Sequence, residues 1–286
     1  MAKSISQALA EASDVLKWAG VPEARKEAAS LLAHVLDVNR TYLITNAEDF
    51  MAAPSLLEFQ NFVHRRASGE PSQYITGSQD FYGRRFEVNE DVLIPRPETE
   101  SLIDESLQYL STSRSPFWIC DVGTGSGCIA ITLLCEGRFS QAIAVDISHR
   151  ALEVAKRNAK AHDVTNRISF IRSDCFNALN KKVLFDLIVS NPPYVSATVL
   201  PGLQREVRDH EPRIALSPGE DGLTLIRGLL KEAPAHLKPK GHFVMEIGFD
   251  QSEAVRDLVN RQVWHLIEVK PDLQQIPRIV VLERLP

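Results

Sequence analysis

The strongest constraint on this chain is a short apolar strand that breaks at three closely spaced glycines and turns into a helix. Trp118–Val122 is the strand, and Gly123-Thr124-Gly125-Ser126-Gly127 is the turn. Glycines at this spacing permit a tight bend and let backbone amides approach a ligand closely. Strands and helices alternate from there on. Ala142–Val145, Ile168–Arg172 and Phe185–Ser190 read as strands, with a helix from Ser148 to about His162 between the first two. A helix over Leu223–Leu237 and strands over His242–Ile247, Trp264–Val269 and Ile279–Leu282 complete the series. Alternation of this kind predicts an α/β fold with a doubly wound sheet, mostly parallel in its first half.

At 286 residues the chain has room for a second, smaller domain. Ile5, Ala8, Leu9, Ala12, Val15, Leu16 and Ala19 follow the helical period, as do Ala28 to Leu36 and Leu56 to Val63. They predict a small helical bundle over residues 1–72. The character changes near Pro71. Phe81–Val88 alternates and Val92–Ile94 follows after the polar Asn89-Glu90-Asp91, which predicts a β-hairpin within a linker over 73–95. Pro95-Arg96-Pro97-Glu98-Thr99-Glu100 then opens a helix, since proline and acidic residues suit a first turn. Residues 96–286 form the α/β domain.

The net charge is −5, which argues against a protein that grips a phosphate backbone over many base pairs. Cys120, Cys128, Cys135 and Cys175 form no Cys-x-x-Cys pair and have no histidine cluster beside them, so neither zinc nor any other metal is expected. Their apolar settings suit reduced, cytoplasmic thiols. The N-terminal segment reads as neither a signal peptide nor a membrane anchor.

The glycine spacing separates two kinds of ligand. A dinucleotide fingerprint needs a glycine where Cys128 stands, whereas Gly-x-Gly-x-Gly is the form that cradles an adenosyl amino acid in methyltransferases. Asp146 ends the second strand, 23 residues past Gly123, where such sheets place a carboxylate against ribose hydroxyls. Asp174 and Cys175 end the third strand. Asp174 can accept from an adenine amine, and Cys175 can pack on the ring or offer its amide; both also fit an ordinary polar strand end. Asp121 is placed either to face the ligand's amino group or to orient the loop.

Ser190-Asn191-Pro192-Pro193-Tyr194 is the most informative stretch. Two consecutive prolines force the chain out of a central strand and set Asn191 at the carboxyl edge of the sheet. A planar amide or base amine is a poor nucleophile, because its lone pair is delocalised. The Asn191 side-chain oxygen and the Pro192 carbonyl can accept from its two N–H bonds, orient it and stabilise the positive charge that develops. Tyr194 offers an aromatic face to a planar group.

These residues together resemble the release-factor glutamine methyltransferase family. Beyond the motifs above, the likeness rests on Gln73-Tyr74-Ile75-Thr76-Gly77, Phe81-Tyr82-Gly83, Val92 to Glu100, Glu211-Pro212 with Ala215-Leu216, and Glu246-Ile247-Gly248. The resemblance implies a Rossmann-like class I S-adenosylmethionine methyltransferase domain behind a substrate-recognising helical bundle. It implies S-adenosyl-L-methionine as cofactor and S-adenosyl-L-homocysteine as product. The implied substrate is the glutamine of the Gly-Gly-Gln loop of peptide chain release factors, in translation termination. By the same likeness, Gly123, Thr124, Gly125, Ser126 and Gly127 hold the methionine part, Asp146 the ribose, and Cys175 flanks the adenine where some relatives carry an aromatic residue. Asn191, also beside the cofactor, clasps the glutamine together with Pro192, Pro193 and Tyr194. Arg96 and Glu98 lie beside the same cleft, and Glu246 has a structural role. The alternative is a methyltransferase for the exocyclic amine of adenine in DNA, or for an RNA base, which uses the same tetrapeptide on a flipped base.

Overall fold

Ser4 fixes where the first helix begins. Its hydroxyl accepts from the amide of Gln7 and the Gln7 side chain accepts from the Ser4 amide, a reciprocal cap. Helix α1 (Ile5–Trp18) is followed by α2 (Ala24–Val35), α3 (Arg40–Thr45), α4 (Ala53–Ala67) and α5 (Ser72–Thr76). The structure is a computed structural model that describes residues 2–110, 117–137, 140–272 and 274–286. Ile5, Ala8, Ala12 and Leu16 of α1 bury against Leu31 and Leu32 of α2 and Phe59 and Val63 of α4. Val15 sits at the rim of that stripe and stays exposed, and Ala19 lies past the last turn.

The hairpin pairs β1 (Ser78–Phe81) with β2 (Arg84–Glu87), and its turn is Tyr82-Gly83. Both turn residues take positive φ, 50° and 69°, as a two-residue hairpin turn with the twist of its strands requires. The expected turn at Asn89–Asp91 is therefore corrected, and Val92–Ile94 forms no strand. The polar run Asn89–Asp91 looks more like a turn than Tyr82-Gly83, which has an aromatic residue in its first place. Phe81 and Phe86 enter the core of the sheet unit, and the hairpin is counted with that unit.

A 3-10 turn at Pro97–Thr99 leads into α6 (Glu100–Leu110). Then come β3 (Phe117–Val122), α7 (Cys128–Glu136), β4 (Ser140–Asp146), α8 (His149–Ala161), β5 (Ile168–Arg172) and β6 (Phe185–Ser190). The last part holds α9 (Arg205–His210), α10 (Arg213–Leu216), α11 (Thr224–Glu232), β7 (Leu237–Glu246), α12 (Ser252–Leu258), β8 (Trp264–Pro271) and β9 (Pro277–Arg284). Two units result: Met1–Gly77 with Gln204–His210, and Ser78–Leu203 with Glu211–Pro286. Inside the first, buried Arg66 pairs with Glu27 at 2.9 Å and with Glu206 of α9 at 2.6 Å, so its charge is compensated.

The described strands of the main sheet run in the order β5-β4-β3-β6-β7-β9-β8. The first five are parallel, and β9 is antiparallel to both β7 and β8. Alternation along the central strands sends Ile119, Leu187, Val189 and Val244 to one face, among Leu102, Ile103 and Ile131 of α6 and α7. It sends Cys120, Ile188, Phe243 and Met245 to the other, among Ile226 and Leu229 of α11 and Val255 of α12. With both faces covered, the strands are apolar almost throughout, as parallel strands are.

Candidate active site

The strand order reverses between β3 and β6. The chain lays β4 and β5 on one side of β3, then returns to place β6 on the other, and loops leaving adjacent carboxyl ends there diverge into a crevice. The glycine turn leaves β3 and the Asn191 loop leaves β6. Ser190 joins them, its hydroxyl donating to the Val122 carbonyl at 2.7 Å.

The turn is held by backbone and by two carboxylates. The amides of Gly123 and Thr124 both donate to the Val145 carbonyl, at 2.9 and 3.0 Å. Gly127 caps α7 with φ +82°, and a Cβ there would lie 2.8 Å from Ile131 Cδ1 and 3.1 Å from Ala155 Cβ, so only glycine lets the turn sit this close to the helices. Asp146 accepts from the Gly125 amide on one oxygen (2.9 Å) and from the Ser148 amide on the other (2.8 Å). Burial raises its carboxyl above the usual range, against the pull of those amides. Asp121 is fully buried. One oxygen accepts from Thr124 Oγ1 (2.7 Å) and the Ala130 amide (3.2 Å), and the other has no protein partner. Burial pushes Asp121 up to about 7, the two hydrogen bonds oppose this, and the charge of Asp146 adds to the rise.

The Asn191 loop is held by side chains from distant segments. Asn191 Nδ2 donates to Thr99 Oγ1 at 3.0 Å, and Thr99 Oγ1 donates to Glu246 Oε2 at 2.7 Å. Tyr194 Oη donates to Glu246 Oε1 at 3.1 Å. Glu246 ends β7 and is buried; that burial raises its carboxyl, opposed by the same two hydrogen bonds and by the charge of Arg278. Gln251 Nε2 donates to the carbonyls of Tyr194 (3.1 Å) and Gly222 (3.2 Å), which fixes the loop's exit. Glu211 accepts from the Ile94 amide at 3.2 Å and pairs with Arg96, pinning the segment that carries Thr99.

A cavity of about 390 Å³ opens over these loops. Gly123, Gly125, Asp146, Cys175, Asn191, Pro192 and Pro193 line it together, drawn from the ends of four strands. Thr124, Ser126, Gly127 and Tyr194 are not in its lining. The first three build the turn, and Tyr194 packs against the core beneath β6. Cys175 has φ +47°, and its thiol is pushed up to about 12 by burial, so it is a neutral wall residue rather than a nucleophile. Leu93 on one side and Ile214, Ala215 and Pro218 on another complete the lining. Sequence reasoning missed Leu93, Ile214 and Pro218 as lining residues; the only signal was that they fall in or beside the motif runs Val92 to Glu100 and Glu211 to Leu216. Among the described residues no His, Cys, Asp and Glu group is placed to hold a metal, and no helix is long and apolar enough to cross a membrane.

A doubly wound sheet with this glycine turn, this carboxylate and Asn-Pro-Pro-Tyr at its switch point is a class I methyltransferase domain. Two family models match: the PrmC N-terminal domain over residues 7–77 and the methyltransferase small domain over 105–202. A release factor glutamine methyltransferase of Koribacter versatilis is 42% identical over 279 residues, covering 97% of this chain and 98% of its own. One of Cereibacter sphaeroides is 42% identical over 282 residues, covering 98% of each. The crystal structure of a methyltransferase from Pyrococcus furiosus superposes with a TM-score of 0.51 at 17% identity, over 79% of this chain and all of that one, a likeness of fold. The chain belongs to the release factor glutamine methyltransferase family.

Proposed function

We propose that this protein transfers a methyl group to the side-chain amide nitrogen of the glutamine in the Gly-Gly-Gln segment of peptide chain release factors, and so acts on translation termination. The observation that carries the reading is that the glycine turn, Asp146 and Asn191-Pro192 meet in one cavity, in a chain of this family.

The residues fit S-adenosyl-L-methionine. An unpartnered, fully buried Asp121 oxygen at the glycine turn suits an ammonium group, and the positive φ at Gly123, Gly125 and Gly127 leaves the turn open to close approach. Each Asp146 oxygen keeps a lone pair for a ribose hydroxyl beyond its amide bond. Cys175 and Asp174 border the same cavity and take the adenine. When bound, the cofactor supplies an electrophilic sulfonium methyl and leaves as S-adenosyl-L-homocysteine.

The chain's part is orientation and charge. Asn191 Oδ1 and the Pro192 carbonyl accept from the two N–H bonds of the glutamine amide and hold its nitrogen toward the methyl. They stabilise positive charge as it grows on that nitrogen, at roughly 3–4 kcal/mol for each acceptor. The proton is lost only after transfer, so no strong base is needed. Pro193 stiffens the loop, and Tyr194, packed on the core with its hydroxyl held by Glu246, anchors the loop's end. Residues 96–286 carry the transfer, the helical residues 1–72 hold the protein substrate, and 73–95 join the two. The site of action is the cytoplasm, where translation runs.

The test offers methyl-labelled donor with release factor, duplex DNA and ribosomal RNA in separate reactions. Label in release factor alone is expected. Label in DNA or RNA and none in release factor would reverse the reading in favour of a base amine.

A further inference from the structure

We propose that Thr99 and Glu246 are positioning residues that decide which end of the Asn191 amide faces the substrate. The proposal rests on the reading that the site methylates an NH2 group. An asparagine side chain has nearly the same shape either way round, and its two ends differ only in what they can bond. Turned so that Nδ2 met the substrate, Asn191 would set donor against donor and lose its function as an acceptor.

Thr99 removes the ambiguity. A hydroxyl has one proton to give, and that of Thr99 is committed to Glu246 Oε2 across 2.7 Å. Thr99 Oγ1 is then left with lone pairs, and the Asn191 atom 3.0 Å away must be the donor, Nδ2. Oδ1 becomes the end offered to the substrate. The relay is rigid because Thr99 and Glu246 are both buried, at 2% and 1% exposure, which leaves no water to substitute for a missing partner. The second Glu246 oxygen takes Tyr194 Oη, so one carboxylate sets both ends of the Asn-Pro-Pro-Tyr loop. Neither residue lines the cavity itself; Thr99 reaches it only through Asn191.

Thr99→Val keeps the volume and removes both hydrogen bonds. Turnover should fall about 10- to 100-fold, the effect of a misplaced reacting group, with the KM for the donor within about twofold of wild type. Thr99→Ser should restore most of the turnover. In an Asn191→Ala background, Thr99→Val should cost less than about twofold further, because no amide remains to orient. Should Thr99→Val fail to fold, as judged by its melting transition and product binding, Glu246→Gln replaces it. Its amide can donate to Thr99 and free the Thr99 proton for Asn191 Oδ1, and the same loss is expected. Wild-type turnover in the folded variant, or losses that multiply in the double variant, would overturn the relay. A wild-type enzyme unable to methylate release factor would overturn the functional reading instead, so the two failures are told apart.

Discussion

The glycine turn and the Asn191 loop leave neighbouring strands of one sheet, yet they are held by different means. At the turn, carboxylates accept from groups of the turn and the strand ends beside it: one oxygen of Asp121 from Thr124 and Ala130, Asp146 from Ser148 and from Gly125, 21 residues away. At the loop, Asn191 is fixed by Thr99, 92 residues away, and Thr99 by Glu246, a further 147 along the chain. The turn therefore presents a shape that local backbone geometry enforces. The loop presents one side-chain orientation that the assembled fold enforces. Damage to the turn should appear as lost binding, and damage to the loop as lost turnover.

The sharpest test of that division is Asn191→Ala. Removing an acceptor used in the transition state should lower turnover by about 10²–10³, some 3–4 kcal/mol, while calorimetry shows product affinity unchanged. An equal loss of affinity would erase the distinction between the two regions. Asp146→Ala is its counterpart at the turn. Losing charge-assisted hydrogen bonds should weaken cofactor binding by about 2–3 kcal/mol, and turnover at saturating donor should change far less. If turnover falls while affinity holds, Asp146 does not bind the ribose.

Gly127→Ala probes the backbone rather than a ligand. A positive φ and a Cβ close to Ile131 should cost about 1–2 kcal/mol of stability, read from the urea midpoint. An unchanged midpoint would show that the turn tolerates side chains. The smallest expected effect is that of pH. With Asp121 pushed up to about 7, its carboxyl is protonated below that value and cannot attract an ammonium. Cofactor affinity should be greatest above pH 7 and weaken about tenfold between pH 8 and 6, with proton release on binding near neutrality. A flat affinity over that range would leave Asp121 as a brace of the loop alone.

The same contrast governs what could be read from the residues. The glycine turn, the strand before it, Asp146 and the Asn-Pro-Pro-Tyr exit are local patterns, and the structure brings Gly123, Gly125, Asp146 and Asn191 to one cavity as the alternation of strands and helices implies. Glu246 reads in sequence only as a structural residue, and its partners, the hydroxyls of Thr99 and Tyr194, come from remote segments. No periodicity reports such a bond. The lining by Leu93 and Ile214 is equally a product of long-range packing. The hairpin turn differs for another reason: its first residue is the aromatic Tyr82 rather than the Asn or Asp that usually precedes a turn glycine, so the polar Asn89–Asp91 run draws the turn away from Gly83.

The most direct measurement is a crystal structure with S-adenosyl-L-homocysteine and a Gly-Gly-Gln peptide bound. Asn191 Oδ1 and the Pro192 carbonyl oxygen should each lie within about 3.2 Å of the glutamine amide nitrogen, with Nδ2 still on Thr99. A glutamine facing Nδ2, or lying away from both oxygens, would contradict that geometry.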